Sequence, residues 1–174
     1  SLANAGIGAV SQLCGMLFAH QIGVQLTTVP YKGAGPALND LMGGQVDLLC
    51  DQTTQTAPVI KDGQRVKVFG VTTPKRLSSM PDIPTLDEQG LKGFDVKVWH
   101  GVYAPKGTPP AVIEKLNVAL RAALQDDNVK KRFAELSTEA VPMDKVTPEA
   151  LRSHLAAEIE KWGKVIRAAG VQAD

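Results

Sequence analysis

VPYKGAGPALNDLMGGQVDLLCDQ, residues 29–52, carries the alternation that decides the fold. A β-rich run stops at a Pro/Gly turn holding Lys32, and a short helix is predicted over residues 36–42, with Pro36 suited to its first turn. Gly43 and Gly44 stop that helix, and QVDLLC restarts the chain as a buried strand ending on Asp51. Upstream, VQLTTVPY reads as a strand. Downstream, TTQTAPVIKDG reads as a helix with threonines at its start, and RVKVFGVTT as a strand that closes the unit. Strand, helix, strand, helix, strand at short spacing is the pattern of a parallel sheet with right-handed crossovers.

Before this stretch, Ser1 to Tyr31 contains no Asp, Glu, Lys or Arg, so Lys32 is the first charged side chain. GAVSQLCGMLFAHQI places Leu13, Met16 and Leu17 at helical spacing, and the glycines of ANAGIG supply a turn before it. A surface helix normally shows a charged face, so this one is expected to be covered on more than one side.

After it, the chain changes character near Tyr103, from a charge-poor, sheet-like part to a helical tail that carries most of the charge. Thr85 and Glu88 have the spacing of a capping box on a short helix. FDVKVWHGVYAP alternates like a strand over its first half. KGTPPAVIEKLNVALRAALQDD reads as an amphipathic helix, with Thr108 as cap and Pro109 in the first turn. A shorter helix is expected over residues 128–136, and STEAVP as a strand. A last helix from Thr147 and Pro148 lays Leu151, Leu155, Ile159, Trp162 and Ile166 on one stripe.

The 174 residues are enough for one good core or two small ones, and their 44% apolar share argues against disorder. Nineteen basic against eighteen acidic residues leave a net charge of +1, so neither nucleic acid nor an anionic membrane is an expected partner. No run approaches the roughly 20 apolar residues of a membrane span. The start at SLANAGIGAV reads like the interior of a protein, so a fragment is expected. Cys14 and Cys50 lie in apolar surroundings without CxxC spacing; buried thiols are the first expectation and a helix-to-strand disulfide the second, with no metal site.

Enzyme motifs are missing: GxSxG, HExxH and GxxxxGK[ST] do not occur, and no cofactor is expected. His20, His100 and His154 are far apart, each without an obvious carboxylate or nucleophile partner. What the first half offers is three turns, NAGIGAVSQ, PYKGAGPA and CDQTTQT, at the C-terminal ends of its strands. Ligands of open α/β sheets bind there, and the first two turns expose backbone N–H groups before a helix, where a carboxylate or phosphate is favoured. Asp51 reads as site-lining, because a carboxylate after VDLLC is costly unless it meets water, a donor or a helix N-terminus. Lys32 reads equally as a solvated turn residue. Trp99 and His100 suit a hinge or packing role as well as a ligand contact.

ANAGIGAVSQLCGMLF, TTVPYKGAGPALNDLMGGQVDLLCDQ, IKDGQRVKVFGVTTPKR, MPDIPTLDEQGLKGF and WHGVYAPKGTPPAVIEKLN occur in one order, from about Ala3 to Gly170. In that order they resemble the Bug family, the extracytoplasmic solute-binding proteins of tripartite tricarboxylate transporters. The most specific part is VPYKG-x-x-P-A-L followed by G-G-Q-V-D.

The resemblance implies an α/β fold: a periplasmic-binding-protein-like lobe with a mainly parallel sheet flanked by helices, plus a C-terminal helical tail of the other lobe. Residues 1–102 would be ligand-binding lobe two, and residues 103–174 the segment that returns to lobe one, most of which is not in this chain. It implies a periplasmic receptor that captures a small carboxylate-bearing solute, a dicarboxylate or an aromatic acid, for the membrane subunits of the transporter. Carried over by position, Ala5, Gly6, Ile7, Gly8, Ala9, Val10 and Ser11 form the first ligand turn, and Tyr31, Lys32, Gly33 and Ala34 the second. Asp51 matches the acidic strand-end position. Family members often carry hydroxyl residues where this chain has Ala9 and Val10, and His where it has Gln12, which favours a ligand with an apolar or aromatic portion. Self-association through apolar stripes on the tail helices is also expected. Two other readings are the effector-binding domain of a LysR-type regulator, and a small hydrolase or transferase on the same sheet.

Overall fold

In the computed structural model, which describes residues 1–63 and 65–168, the first strand is the middle of the sheet. β1 (Leu2–Asn4) pairs in parallel with β2 (Thr28–Pro30) on one side and with β3 (Leu48–Leu49) on the other. The order is therefore β2-β1-β3. All of β1 is buried, as befits a central strand without a charged residue. α1 (Val10–Ile22) connects β1 to β2, and α2 (Ala34–Met42) connects β2 to β3.

Successive strand residues point to opposite faces, and this sorts the helices. Leu2 lies against Gly15 of α1, whereas Ala3 is in a core with Ala37 of α2 and Val46, against which Val29, Leu41 and Leu49 pack. The helices thus sandwich the sheet. On the α1 side a second core gathers Cys14, Phe94 and Val96, with Phe18, Leu86 and Trp162 packed against it. Trp162 belongs to α6 (Pro148–Ala168), so the cover expected for the uncharged helix comes partly from the last helix. Thr147 caps α6 by accepting from the Ala150 N–H at 3.1 Å, as expected.

Several expectations are corrected. Cys14 and Cys50 are joined in a disulfide, with Cα atoms 6.2 Å apart, and are not free thiols. Residues 65–73 do not close the sheet. Val71 donates to Pro84 O and accepts from Leu86 N, both at 2.9 Å, while Thr72 O accepts from Val96 N at 3.0 Å. The backbone groups that would have laddered onto β3 are used on later segments instead. FDVKVWHGVYAP forms no strand either, although Phe94 and Val96 are buried in the expected alternation. Thr85 and Glu88 make the reciprocal bonds of a capping box, at 2.7 and 3.0 Å, but around a turn rather than a helix.

α3 (Thr53–Asp62) starts from Gln52 without a threonine cap. α4 (Pro110–Gln125) starts one residue later than expected, because the Thr108 hydroxyl is spent on Pro105 O. α5 (Asp127–Glu135) is capped by Asp126, which accepts from the Asn128 and Val129 N–H groups. STEAVP is irregular, with Ser137 at φ 52°. Among the described residues no helix is long and apolar enough to cross a membrane.

Candidate ligand site at the strand ends

Parallel pairing brings the C-terminal ends of β2, β1 and β3 to one edge of the sheet, and with them the predicted turns. In an open sheet, ligands bind in the crevice at the C-terminal ends, where the strand order reverses. With the order β2-β1-β3 and helices on opposite faces, that crevice falls between β1 and β3. The first and third turns are its walls. The turn after β1 lies between Lys32 and Asp51.

The first turn uses many of its donors on itself. Ala5 N donates to Ser11 Oγ at 2.9 Å, Gly6 N to Asn4 Oδ1 at 2.9 Å, and Gly8 N to Gln12 Oε1 at 2.7 Å. Ala9 N returns to Gly6 O at 3.2 Å. Among the described residues the amides of Ile7, Val10 and Ser11 have no such partner. Ser11 is 4% exposed, so its hydroxyl braces the turn from below. Gly6 has φ +124°, a conformation side chains disfavour, and a Cβ there would sit 3.4 Å from Tyr31 O. That close approach lets the second turn zip onto the first: Tyr31 N donates to Asn4 O at 2.9 Å and Gly33 N to Ala5 O at 3.2 Å.

In the second turn, the Tyr31 hydroxyl is committed to Asp40 Oδ2 at 2.8 Å. That hydrogen bond, with burial and the Asp40 charge, pushes the phenol above its usual range. What this turn presents is backbone, with Ala34 opening α2 and Lys32 exposed beside it.

Asp51 stands at the third turn. Its Oδ1 accepts from Gln52 N at 2.8 Å, while Oδ2 is buried and has no hydrogen-bond partner among the described residues. Burial raises its pKa above the ordinary aspartate value, more than the Gln52 bond lowers it. A raised folded-state pKa means that the native protein holds the proton to higher pH than the unfolded chain, so Asp51 disfavours folding increasingly as pH rises through that interval. Asp51→Asn should therefore raise the melting temperature at pH 7, with the gain vanishing on acidification below the unfolded aspartate range. Melting curves of both proteins across pH check this, and a pH-independent difference would contradict it.

Val10, Ser11 and Asp51 line a common groove of about 630 Å³, closed on the far side by residues 66–73. Of the predicted site residues, these are the ones the groove gathers. Residues 31–34 lie beyond the β1 turn and do not line it. Val10, 38% exposed, adds apolar surface to the groove, whereas Ala5, Gly6, Ile7, Gly8 and Ala9 do not line it. Sequence reasoning missed Asn4 and Gln12. An Asn two residues before a Gly at a strand end is an Asx-turn signal that could have found the first.

Residues 1–171 match the family described as tripartite tricarboxylate transporter family receptor, TctC. The chain belongs to the TctC family. Its relatives include the UPF0065 protein of the TAR-I ttuE-ttuC' intergenic region of Agrobacterium vitis, 50% identical over 96% of this chain and 48% of that protein. Protein BugT of Bordetella pertussis is 33% identical over 95% of this chain and 50% of its own length. The chain thus spans about half the length of these relatives. Among solved structures, the periplasmic binding protein BugD superposes with a TM-score of 0.92 at 47% identity, over 99% of this chain and 57% of that one. MatC from Rhodopseudomonas palustris with bound malate gives 0.89 at 37%, over 95% and 56%. TctC proteins are receptors rather than enzymes, and the match favours this over a LysR-type regulator.

Proposed function

We propose that this TctC chain is the second lobe and the returning tail of a periplasmic receptor, which captures a small carboxylate-bearing solute and presents it to the membrane subunits of a tripartite transporter. One observation carries the reading: amide donors of the β1 turn stand at the reversal of strand order, opposite the end of β3, where an anionic group is favoured. The similar R. palustris proteins hold adipate and malate, which supports a dicarboxylate. Val10 suits a solute with an apolar portion next to its carboxylate.

The Cys14–Cys50 disulfide supports an oxidising compartment such as the periplasm, and speaks against the cytosolic setting of a LysR-type regulator. Residues 1–102 act as lobe two in this reading, and residues 103–174 as the tail of the facing lobe. α4 exposes Val112 and Leu116 one helical turn apart, a stripe that self-association would cover.

Melting the protein against mono-, di- and aromatic carboxylates tests the reading: selective upward shifts without product are expected, and a flat panel would overturn it. Ser11→Ala removes the acceptor that holds Ala5 N and should weaken carboxylate binding about tenfold. Titration calorimetry checks this, and an unchanged affinity would remove Ser11 from the site.

A further inference from the structure

We propose that the Cys14–Cys50 disulfide is a positioning element of the ligand site, fixing the separation of its two walls across the reversal of strand order. The inference rests on the receptor reading given above. β3 is two residues long, and its ladder with β1 ends at the pair Ala3↔Leu49, before Cys50 and Asp51 are reached. The outer edge of β3 faces the open groove, because residues 66–73 bond to residues 84–86 and 96 instead of to it. The sheet therefore supplies no ladder pair to hold Asp51 in place.

The disulfide supplies the hold that the ladder does not. Cys14 is one helical turn beyond Ser11, whose Oγ braces the first ligand turn through Ala5 N at 2.9 Å. Cys50 immediately precedes Asp51. A bond between them ties the helix that forms one wall to the strand end that forms the other. Beyond it, Thr53 Oγ1 donates to Ser137 O at 2.9 Å and links the start of α3 to another residue lining the groove. Cys14 is 1% exposed and sits among Phe94 and Val96, so the tie is anchored in the core rather than on a mobile surface. Without it, the strand end bearing Asp51 has open volume to move into, and the walls lose their register.

The test separates positioning from bulk stability with a pair of double variants. Cys14→Ala/Cys50→Ala removes the bond and the sulfur volume; Cys14→Val/Cys50→Ala removes the bond but refills part of the core. Folding is followed by near-UV circular dichroism, and binding of malate and adipate by calorimetry at 10 °C, far below melting. The expected result is that the repacked pair regains part of the melting temperature lost by the alanine pair, yet both bind the carboxylate about tenfold or more weakly than the unaltered protein. Affinity that recovers together with the melting temperature, or stays within about twofold of the unaltered protein, would overturn the positioning role. If the unaltered protein binds no carboxylate, the receptor reading fails instead. The positioning role is then judged by amide exchange at Gln52, whose N–H donates to Asp51 Oδ1: faster exchange in both folded variants upholds it, and unchanged exchange overturns it.

Discussion

Converting Cys14 and Cys50 to alanine should lower the unfolding free energy by about 4 kcal/mol, the chain-entropy value for a bridge closing a loop of this length. The cysteines are 36 residues apart in sequence, and the loop between them contains β2, α2 and all of β3. Opening it returns to the unfolded chain freedom that the bridge denies it, while the native state loses a cross-link between a helix on one face of the sheet and an edge strand. For a protein of this size the melting temperature should fall by roughly 8–16 °C. Thermal melts followed by far-UV circular dichroism check this, with the unaltered protein melted with and without dithiothreitol as a second arm. Melting that is indifferent to both the substitution and the reductant would mean that β3 is held by its short ladder alone.

Gly15→Val should be the most damaging single substitution in α1, costing about 3 kcal/mol. Gly15 is where helix and sheet come closest: a Cβ there would collide with Leu2 Cδ2 and lie 3.2 Å from Leu2 Cγ. Leu2 is 4% exposed and held in register with both Thr28 and Leu48, and the space beside it is the groove that Leu2 and Gly15 both line. Valine displaces the Leu2 side chain toward that groove and pushes α1 away from β1. Because Ser11 rides on the same helix, the ligand turn lifts with it, so carboxylate binding should fall together with stability. Urea unfolding gives the first quantity and calorimetry the second. A change in stability below about 0.5 kcal/mol would show that α1 does not rest on Leu2.

The same positions show which parts of the molecule a linear reading reaches. α1, α2 and α3 were legible because their signals are local: a proline in the first turn, glycines beyond the end, and apolar spacing at the helical period. The turns before α1 and α2 were legible for the same reason, since glycines between a short apolar run and a helix mark a strand-to-helix turn wherever they occur. Residues 65–73 misled because Val66, Val68 and Val71 carry the composition of a strand, but strand propensity cannot tell which neighbour a backbone will bond. Residues 84–86 and 96 won that competition over β3. The cysteines misled because sequence spacing is silent about which helical turn lies above which strand end. STEAVP failed for a related reason, its Ser137 being turned to φ 52° where its carbonyl meets Thr53.

Sequence alone determined most of the helices, the strand-helix-strand alternation through β2, α2 and β3, the glycine turns before α1 and α2, and a family likeness running nearly the whole chain. These depend on residues within a few positions of one another, or on an ordered set of motifs. Tertiary structure alone decided that β1 is central, that the turn after β1 stands between Lys32 and Asp51, and that Cys14 reaches Cys50. Each of those is a choice among partners distant in the chain, and it is made by which apolar faces can be buried together, something no local pattern of residues contains.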